Sequence, residues 1–396
     1  MSVVKKPISH VVDVNPRIPT EIASDARLEV DFVPMAQLSD QGYVTPIVSC
    51  PLADVLKGYT YFENGDVIVA KITPCMENGK AAFVDNLPHK IGFGSTEFHV
   101  LRPRESVDGR YLFYMVWNPE FRKEAEGNMT GSAGQKRVPK AFFDRFQIPL
   151  PPLSEQKRIA DILDKVDAIR RKRQEAVQLS ENILRSAYLH LFGDPIANPQ
   201  GWPVEELGSI ADMVTGFAFK SSEYVSTGIR LCRGANVLPD RIDWSDVRHW
   251  RPDDSTIDPK LKLNVGDVIL AMDRPWISSG IKVAQIVESD LPAYLVQRVT
   301  RLRGERSISN AFLYFTIRHP AFTAHCGGLK TETTIPHISS SNIKSFRVPV
   351  APKCVHATFE KIANKSQVKN QLLQRAMEEA DSLFNSLVQQ AFQGSL

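Results

Sequence analysis

Short apolar runs separated by turn residues fill two stretches of the chain, residues 1–150 and 202–350. The runs have the length of strands, and Gly, Pro, Asn and Asp separate them, as is typical of strands and turns. The clearest runs span residues 66–71, 98–101, 265–272 and 294–302. Helical spacing of apolar residues occurs between them at 108–117 and 308–318. Each stretch is therefore predicted to fold as a mixed α/β domain.

A different pattern follows each of these stretches. Pro151 and Pro152 cannot continue a helix from upstream, and Ser154 is a favourable N-cap residue. No Gly or Pro occurs again before Gly193, and the apolar residues in between lie mostly three, four or seven positions apart. The same spacing follows Pro352. Two long helices with a one-sided apolar stripe are predicted.

The length of these helices requires a partner. A helix over residues 154–192 is about 58 Å long at ~1.5 Å per residue, and its apolar face is too narrow for a helix buried inside a core. The other long helix is available in the same chain, which predicts a two-stranded antiparallel coiled coil between the globular domains. A parallel homodimer would satisfy the same stripe.

The two halves of the chain resemble each other at a constant offset. The string Gly-Asp-Val-Ile-Val-Ala at 65–70 recurs as Gly-Asp-Val-Ile-Leu-Ala at 266–271, 201 positions later. Phe-Gln-Ile-Pro-Leu at 146–150 recurs as Phe-Arg-Val-Pro-Val at 346–350, 200 positions later. The offset of 200 also relates Ile183, Ser186 and Phe192 to Leu383, Ser386 and Phe392. A duplicated unit of some 200 residues is predicted.

These patterns predict an α+β protein in which two mixed α/β domains, related by an internal repeat, are separated by two long helices. The predicted segments are a first mixed domain at 1–150, a first long helix at 151–195, a second mixed domain at 202–350 and a second long helix at 353–394.

Composition limits the class of protein. Of the 396 residues, 43% are hydrophobic and 23% charged, as in globular proteins. No stretch has the length and apolarity of a membrane span, and the N-terminal sequence has no signal-peptide core, so a cytoplasmic location without membrane attachment is expected. Five widely spaced cysteines without a CxxC pair predict reduced thiols. With a net charge of +3, any nucleic-acid-binding face must come from local clusters of basic residues.

Motifs of common catalytic sites are absent from the sequence. It contains no GxxxxGK[ST] phosphate loop, no GxGxxG after a strand and no HExxH. Asn198-Pro199-Gln200 does not match the Asn-Pro-Pro-aromatic string expected of a DNA adenine methylase. Asp253 and 258–260 superficially resemble a nuclease metal site, but their spacing is short and a proline interrupts the strand that such a site needs. The alternative of a free-standing nuclease predicts metal-dependent DNA cleavage by the chain alone.

Several loops carry side chains suited to nucleic acid. Residues 130–137 place Gln, Lys, Arg and hydroxyl groups on a Gly-rich segment, and 327–334 occupy the corresponding position in the second half. Polar, proline-containing segments follow the matched strands at 71–80 and 272–280. Any one such loop is commonly an ordinary solvated turn, but polar tips at matching positions in both halves favour a binding function.

The candidate DNA-binding side chains come from these loops and from two weaker sites. They are Lys71, Thr73, Asn78, Lys80, Ser132, Gln135, Lys136, Arg137, Lys220, Arg233, Arg274, Trp276, Lys330, Thr331 and Thr333. We expect phosphate contacts among Lys71, Lys80, Lys136, Arg137, Arg274 and Lys330, and base contacts among Asn78, Gln135 and Thr333.

The basic run at 170–173 has a simpler interpretation. Four consecutive residues of a helix point in all directions, so only part of the run can face one DNA duplex. Asp167 and Glu175 lie within helical reach, which favours a solvated, partly ion-paired surface. Arg170 and Arg173 are also placed to interrupt an apolar seam between helices, which fixes its register.

The junction Ile-Pro-Leu-Pro-Pro-Leu-Ser-Glu-Gln-Lys-Arg-Ile-Ala at 148–160, together with Thr-Pro-Cys-Met-Glu-Asn-Gly-Lys at 73–80, Phe-Gly-Asp-Pro at 192–195 and the duplicated layout, resembles the specificity subunits of type I restriction-modification systems. The resemblance implies two target-recognition domains that each bind half of a split double-stranded DNA target. It also implies that the long helices bind two methyltransferase (M) subunits, with restriction (R) subunits as further partners.

The same resemblance implies a chain without a catalytic site of its own. S-adenosylmethionine, ATP and Mg are then expected on the partner subunits, with no cofactor or metal bound by this chain. Partner contacts are expected at Gln156, Arg158, Arg170 and Arg173. The second junction departs from the first, because His356 stands where the first has Gln156.

A third class of protein, a scaffold that binds only other proteins, predicts no binding to duplex DNA.

Overall fold

The computed structural model describes residues 4–25, 27–45, 47–132, 134–252, 255–328 and 337–396. They form two compact units: one comprises Met1–Gln174 and Arg375–Leu396, and the other Glu175–Gln374. The first unit contains β1 (Lys5–Pro7), β2 (Val12–Val14), α1 (Thr20–Ala23), β3 (Glu29–Val33), β4 (Val48–Pro51), α2 (Leu52–Val55), β5 (Thr60–Glu63), β6 (Val67–Ala70), β7 (Ala81–Phe83), β8 (Ile91–Gly94), β9 (Phe98–Pro103), α3 (Gly109–Trp117), α4 (Pro119–Gly127), β10 (Gln147–Pro149) and the beginning of α5 (Leu153–Phe192).

The second unit holds the end of α5 and the elements that follow it. They are β11 (Val204–Glu206), α6 (Leu207–Ile210), β12 (Ala211–Thr215), β13 (Ile229–Cys232), β14 (Val237–Leu238), β15 (Arg241–Ile242), β16 (His249–Trp250), β17 (Val268–Ala271), β18 (Trp276–Ile277), β19 (Gly280–Ile281), β20 (Val283–Gln285), β21 (Ala293–Leu295), β22 (Val299–Gly304), α7 (Asn310–Arg318), α8 (Pro320–Gly328), α9 (Ser340–Lys344), β23 (Arg347–Pro349) and the beginning of α10 (Lys353–Gln393). Short 3₁₀ helices in the two units cover Ile8–His10, Met35–Gln37, Lys140–Asp144, Ser221–Glu223, Pro259–Leu261 and Glu288–Asp290.

The four-stranded antiparallel sheets of the two units correspond strand for strand, whereas the second sheet has four strands in the first unit and three in the second. An antiparallel sheet has the order β2-β9-β6-β7 in the first unit and β12-β22-β17-β20 in the second. Val67 pairs with Leu101 in one and Val268 with Leu302 in the other. A second sheet contains a parallel pair, β3 with β8 and β13 with β21. We call the four-stranded antiparallel sheet the central sheet of its unit.

Each central sheet is covered on both faces. In β6, Val67 and Val69 pack with α3, whereas Ile68 and Ala70 pack with residues of the second sheet. A strand that is buried on both faces has a continuous apolar sequence, which is why the strings at 65–70 and 266–271 are recognisable in the chain. The central sheet thus gives each unit a rigid layer whose strand ends hold the polar loops.

One predicted strand is divided in the structure. The run at 294–302 becomes β21 and β22, which belong to different sheets of the second unit. Between them Arg298 adopts a φ of 63° in the left-handed region. The expectation of a single strand was wrong because the chain passes from one sheet to the other within this apolar run.

The long helices begin and end near their predicted residues, but their ends are buried in the units. Ile159 and Leu163 of α5 pack with Phe384 and Phe392 of α10 in the core of the first unit. In the second unit, Leu184, Tyr188 and Phe192 of α5 pack with Phe359 of α10. The expectation that these helices lie outside a core was therefore wrong at their ends, where aromatic residues widen the apolar face.

The two helices run in opposite directions where they meet. Within the first unit, the Arg173 guanidinium donates to the backbone oxygen of Ala376, and Arg170 lies 3.9 Å from Asp381. Within the second unit, the hydroxyls of Ser180 and Ser366 are 3.1 Å apart. Leu179 and Leu372, which lie between these contacts along the two helices, are each 61% exposed.

Two further findings concern the described part of the chain. None of its helices combines the length and the apolarity needed to cross a bilayer. All five cysteines are free thiols.

Candidate nucleic-acid interface

In the first unit, two of the predicted loops lie side by side at the end of β6. The backbone N–H of Thr73 donates to Lys136 O at 3.0 Å, and that of Val138 donates to Lys71 O at 2.9 Å. Ile72 and Arg137 form an isolated antiparallel bridge. The segments 71–80 and 130–138, which are far apart in sequence, therefore form one surface, which we call the first loop surface.

An ion pair fixes the centre of this surface. Arg137 Nη2 donates to Glu97 Oε1 at 2.8 Å, and Arg137 Nε donates to Glu97 Oε2 at 2.9 Å. The hydrogen bond from Arg137 lowers the pKa of the Glu97 carboxyl, so Glu97 is ionised at neutral pH. Glu97 immediately precedes β9, so the central sheet holds its backbone in place.

A buried histidine supports the same loop from beneath. His99 Nε2 donates to Val138 O at 2.8 Å, and its Nδ1 accepts from the Asn15 side chain at 3.2 Å. Burial lowers the pKa of His99 to about 4, so the ring is neutral. Sequence reasoning missed Glu97, His99 and Asn15, because their roles depend on contacts with residues about 40 to 85 positions away.

The predicted residues of the first loop surface differ in exposure and in hydrogen-bond partners. Asn78, Ser132, Gln135 and Lys136 are exposed, whereas Lys71 and Arg137 are half-buried. Thr73 and Lys80 are also half-buried, and their side chains bond to other residues of the unit. The Thr73 hydroxyl donates to Glu77 Oε1 at 2.8 Å, and the Lys80 ammonium donates to Met35 O at 3.0 Å. In this structure the Thr73 bond lies within the loop and the Lys80 bond links the loop to the 3₁₀ helix Met35–Gln37, whereas Lys80 was expected to contact a phosphate.

The corresponding place in the second unit has different chemistry. Asp273, directly after Met272, accepts from Arg298 at 2.7 Å and contacts the His337 ring at 2.5 Å. Burial is the largest single effect on the pKa of the Asp273 carboxyl and raises it, but the hydrogen bonds and charges of His337 and Arg298 together outweigh burial and lower this pKa below its usual value. Arg298 immediately precedes β22, as Glu97 immediately precedes β9. His337 forms a β-bridge with Asp273, as Arg137 forms one with Ile72. The charges at matching positions are thus rearranged between the units.

The other candidate residues of the second unit differ in exposure and in their partners. Arg274 is exposed, and Trp276 Nε1 donates to Thr323 Oγ1 at 3.3 Å. Lys330, Thr331 and Thr333 lie outside the described residues. Lys220 is exposed near Glu223, at 3.8 Å. Arg233 pairs with Asp246 at 2.8 Å, so its guanidinium already has a protein partner.

Gln156 was expected to contact a partner protein, and the structure corrects this expectation. Its side chain is fully buried, at 0% exposure. Gln156 Oε1 accepts from the N–H of Asp108 at 2.9 Å, and its Nε2 donates to Ser106 O and Pro151 O. Asp108 is the N-cap of α3, so Gln156 joins the first turn of α5 to the start of α3. No surface of this side chain is available to another protein.

The remaining candidate partner residues are bonded within the first unit. Arg158 pairs with Glu155 at 2.7 Å and donates to Leu396 O at 3.0 Å, but stays exposed. Arg170 lies over the rings of Trp117 and Phe384, about 5.0 Å from each centroid. Arg170 and Arg173 therefore link the helices to each other, and Arg158 retains an open face.

The described residues contain no group of three or more His, Cys, Asp or Glu side chains placed to hold a metal ion. The resemblance to a nuclease site includes Asp253, which is outside the described residues. The first loop surface exposes Asn78, Gln135 and Lys136 to solvent, and the second unit exposes Arg274.

Comparisons with known proteins agree with this chemistry. Residues 33–179 match the family model of the type I restriction modification DNA specificity domain. The type I restriction enzyme MjaVIII specificity subunit of Methanocaldococcus jannaschii is 26% identical, over 74% of this chain and 72% of that protein. The crystal structure of the S subunit of a type I restriction-modification system from M. genitalium superimposes with a TM-score of 0.58, over 98% of this chain and 96% of that one. The sequence identity is 15%, so this similarity concerns the fold alone.

A further relative establishes the family. The type I restriction enzyme EcoAI specificity subunit of Escherichia coli is 32% identical over 443 aligned positions, which cover 87% of this chain and 74% of that protein. The identity therefore extends through both units and most of the relative's length. The chain belongs to the family of type I restriction enzyme specificity subunits.

Proposed function

We propose that the two units recognise two different halves of one bipartite double-stranded DNA target, each through the loops at the edge of its central sheet. One observation carries this proposal. The same backbone framework holds Glu97 and Arg137 in the first unit but Arg298, His337 and Asp273 in the second. Equal frameworks with unlike side chains are suited to binding two unlike base sequences.

The long helices have two roles in this proposal. As an antiparallel coiled coil they set the gap between the half-sites, and they bind two methyltransferase subunits. Support for the second role comes from large apolar side chains on α5 and α10 that are about half exposed. They are Ile169, Leu179, Ile183, Leu372 and Leu383. Apolar side chains that are exposed together on one helix face are typical of protein interfaces, and Leu179 and Ile183 are such neighbours at the i, i+4 spacing.

In this proposal the catalytic steps take place on partner subunits and not on this chain. Methyl transfer with S-adenosylmethionine belongs to the methyltransferase subunits, and cleavage with ATP and Mg belongs to restriction subunits. This chain contributes the choice of DNA sequence.

Selection from a randomised pool of duplexes tests the proposal. The full chain, with the subunits that copurify with it, is incubated with duplexes randomised over about three helical turns, and bound DNA is sequenced. We expect two unlike half-sites at one fixed separation. The Lys136→Ala variant should bind all sequences more weakly and lower the salt slope, the dependence of log K on log salt, by about 1.

A matched control is Lys165→Ala, which removes an exposed lysine of α5 outside both loops. Its salt slope should stay unchanged. Enrichment of a single continuous site, or of no sequence at all, would contradict the proposal. Cleavage by the chain alone would indicate a nuclease, and tight protein partners without DNA binding would indicate a scaffold.

A further inference from the structure

The guanidinium of Arg137 is held in one orientation before any DNA is present. Its Nε and Nη2 groups donate to the Glu97 carboxylate at 2.8 to 3.1 Å, and its Nη1 donates to Gln135 O at 3.0 Å. The carboxylate thus occupies the edge of the guanidinium formed by Nε and Nη2. Such paired hydrogen bonds fix the plane of an arginine side chain as well as its position.

The backbone of Arg137 is fixed as firmly as its side chain. Its N–H donates to Thr130 O at 2.8 Å, and its carbonyl accepts from Thr130 N–H at 2.9 Å. The neighbouring residues bond to Thr73 and Lys71 of the other loop. A side chain that is already immobilised loses little conformational entropy when it binds a ligand.

Part of the guanidinium remains available. Of its five N–H groups, one on Nη1 and one on Nη2 have no hydrogen-bond partner among the described residues of the first unit. The side chain is 42% exposed. Two N–H donors on adjacent nitrogens match the O6 and N7 acceptors that guanine presents in the major groove.

The charge around Arg137 favours a base over a phosphate. Glu97 lies 2.8 Å away and cancels most of the positive charge, so the pair gains little from an anionic phosphate and releases few counterions. The uncharged edge of guanine depends on the direction of its donors rather than on net charge. Lys136, which is exposed and immediately precedes Arg137, is better suited to bind the phosphate backbone.

We propose that Arg137 recognises one guanine in the half-site bound by the first unit, and that Glu97 is the positioning residue that orients it. This inference rests on the proposed function and replaces the expected phosphate contact of Arg137. Corresponding positions of the second unit hold Arg298 and His337 around Asp273, so the second half-site has no equivalent contact.

Two substitutions separate geometry from charge. Arg137→Lys keeps the positive charge but removes the planar fork, and Glu97→Gln keeps the size of the side chain but removes the negative charge. Both variants of the full chain, with the subunits that copurify, are tested in the same randomised-duplex selection and in binding titrations at several salt concentrations.

For Arg137→Lys we expect the preference for guanine at one position of one half-site to fall on the order of 10- to 100-fold. The other half-site and the salt slope should stay unchanged. For Glu97→Gln we expect weaker preference at the same position and a salt slope larger by about 1, because the freed charge of Arg137 can then neutralise a phosphate. A merely structural role of Glu97 would not increase the salt slope.

Arg104→Lys is the matched control, since Arg104 forms a similar pair with Asp13 at 2.6 Å at the opposite end of β9. It should leave the selected sequence unchanged. If Arg137→Lys weakens binding to all sequences equally, Arg137 binds a phosphate and the inference is wrong. If both variants select the unmodified wild-type site, the inference fails while the proposed function stands. If the wild-type chain selects no sequence, both fail.

Discussion

Gln156 and His356 show how one position can join the same two elements with different chemistry. His356 is 1% exposed, and its Nδ1 accepts from the N–H of Ser309, the N-cap of α7, at 3.5 Å. Gln156 does the same for Asp108 and makes two further hydrogen bonds. The His356 Nε2 has no hydrogen-bond partner among the described residues of its unit. Both side chains therefore stabilise the junction between a long helix and its unit.

The imidazole makes this junction sensitive to acid. Burial lowers the pKa of His356 from 6.5 to about 4, so the unfolded chain binds a proton that the folded chain does not. Stability from this group is present above pH 6.5 and is lost as pH falls toward 4, by on the order of 1 kcal/mol per pH unit. We predict that His356→Gln reduces this loss, as measured by denaturant unfolding between pH 7 and 4.

The remaining acid sensitivity should come from other groups, such as His99, whose pKa is also about 4. The reverse substitution, Gln156→His, is the matched control and should increase the loss of stability in acid. A His356→Gln variant with the same pH slope as the wild type would show that His356 does not control this window.

At the scale of elements, the last turns of α10 act as part of the first unit. Phe384 is 4% exposed and packs against Trp117 and Tyr114 of α3, with ring centroids 5.6 and 6.0 Å apart. The preceding residue, Leu383, is 52% exposed. Adjacent residues of one helix thus face a core and the solvent.

This contrast gives a matched pair of substitutions. We predict that Phe384→Ala lowers the free energy of unfolding by about 3 to 5 kcal/mol, because it leaves a cavity among aromatic side chains. Leu383→Ala should change it by less than about 0.5 kcal/mol. Urea unfolding of the full chain measures both. Equal effects of the two substitutions would contradict the packing of α10 described above.

The sequence predicted some elements well for physical reasons. Prolines before α5 and Gly193 after it confine the helix, and the predicted start at Ser154 is one residue from the observed Leu153. Strand β1, Lys5–Pro7, was missed because a short edge strand with two lysines and a proline has no apolar alternation. Gln156 was expected at a partner contact because of the family resemblance, and its three backbone partners are not visible in a sequence.

At the scale of the whole molecule, exposed apolar residues on the long helices bear on assembly. Ile183 of the second unit and Leu383 of the first are 200 positions apart and are 54% and 52% exposed. Equivalent positions in a repeated unit present equivalent surfaces to two copies of a partner. This agrees with the proposed binding of two methyltransferase subunits.

We predict that Ile183→Asp and Leu383→Asp each remove one partner subunit from the purified complex, and that the double variant loses both. A buried charge without a partner weakens an interface strongly, whereas the exposed helix itself tolerates Asp at a cost of about 0.7 kcal/mol or less. Native mass spectrometry gives the stoichiometry. Ile196→Asp, at a residue 72% exposed outside the helices, is the control, and an effect as large as in the helix variants would contradict the assignment.

The first unit includes Arg375–Leu396, whereas the second is the continuous segment Glu175–Gln374. Because a ribosome makes the chain from its N-terminus, every residue of the second unit is present before the first unit has its last helical segment. Domains usually complete their folding in order of synthesis. Here that order is reversed, because Phe384, which covers Tyr114 and Trp117 of α3, is synthesised only after the whole second unit.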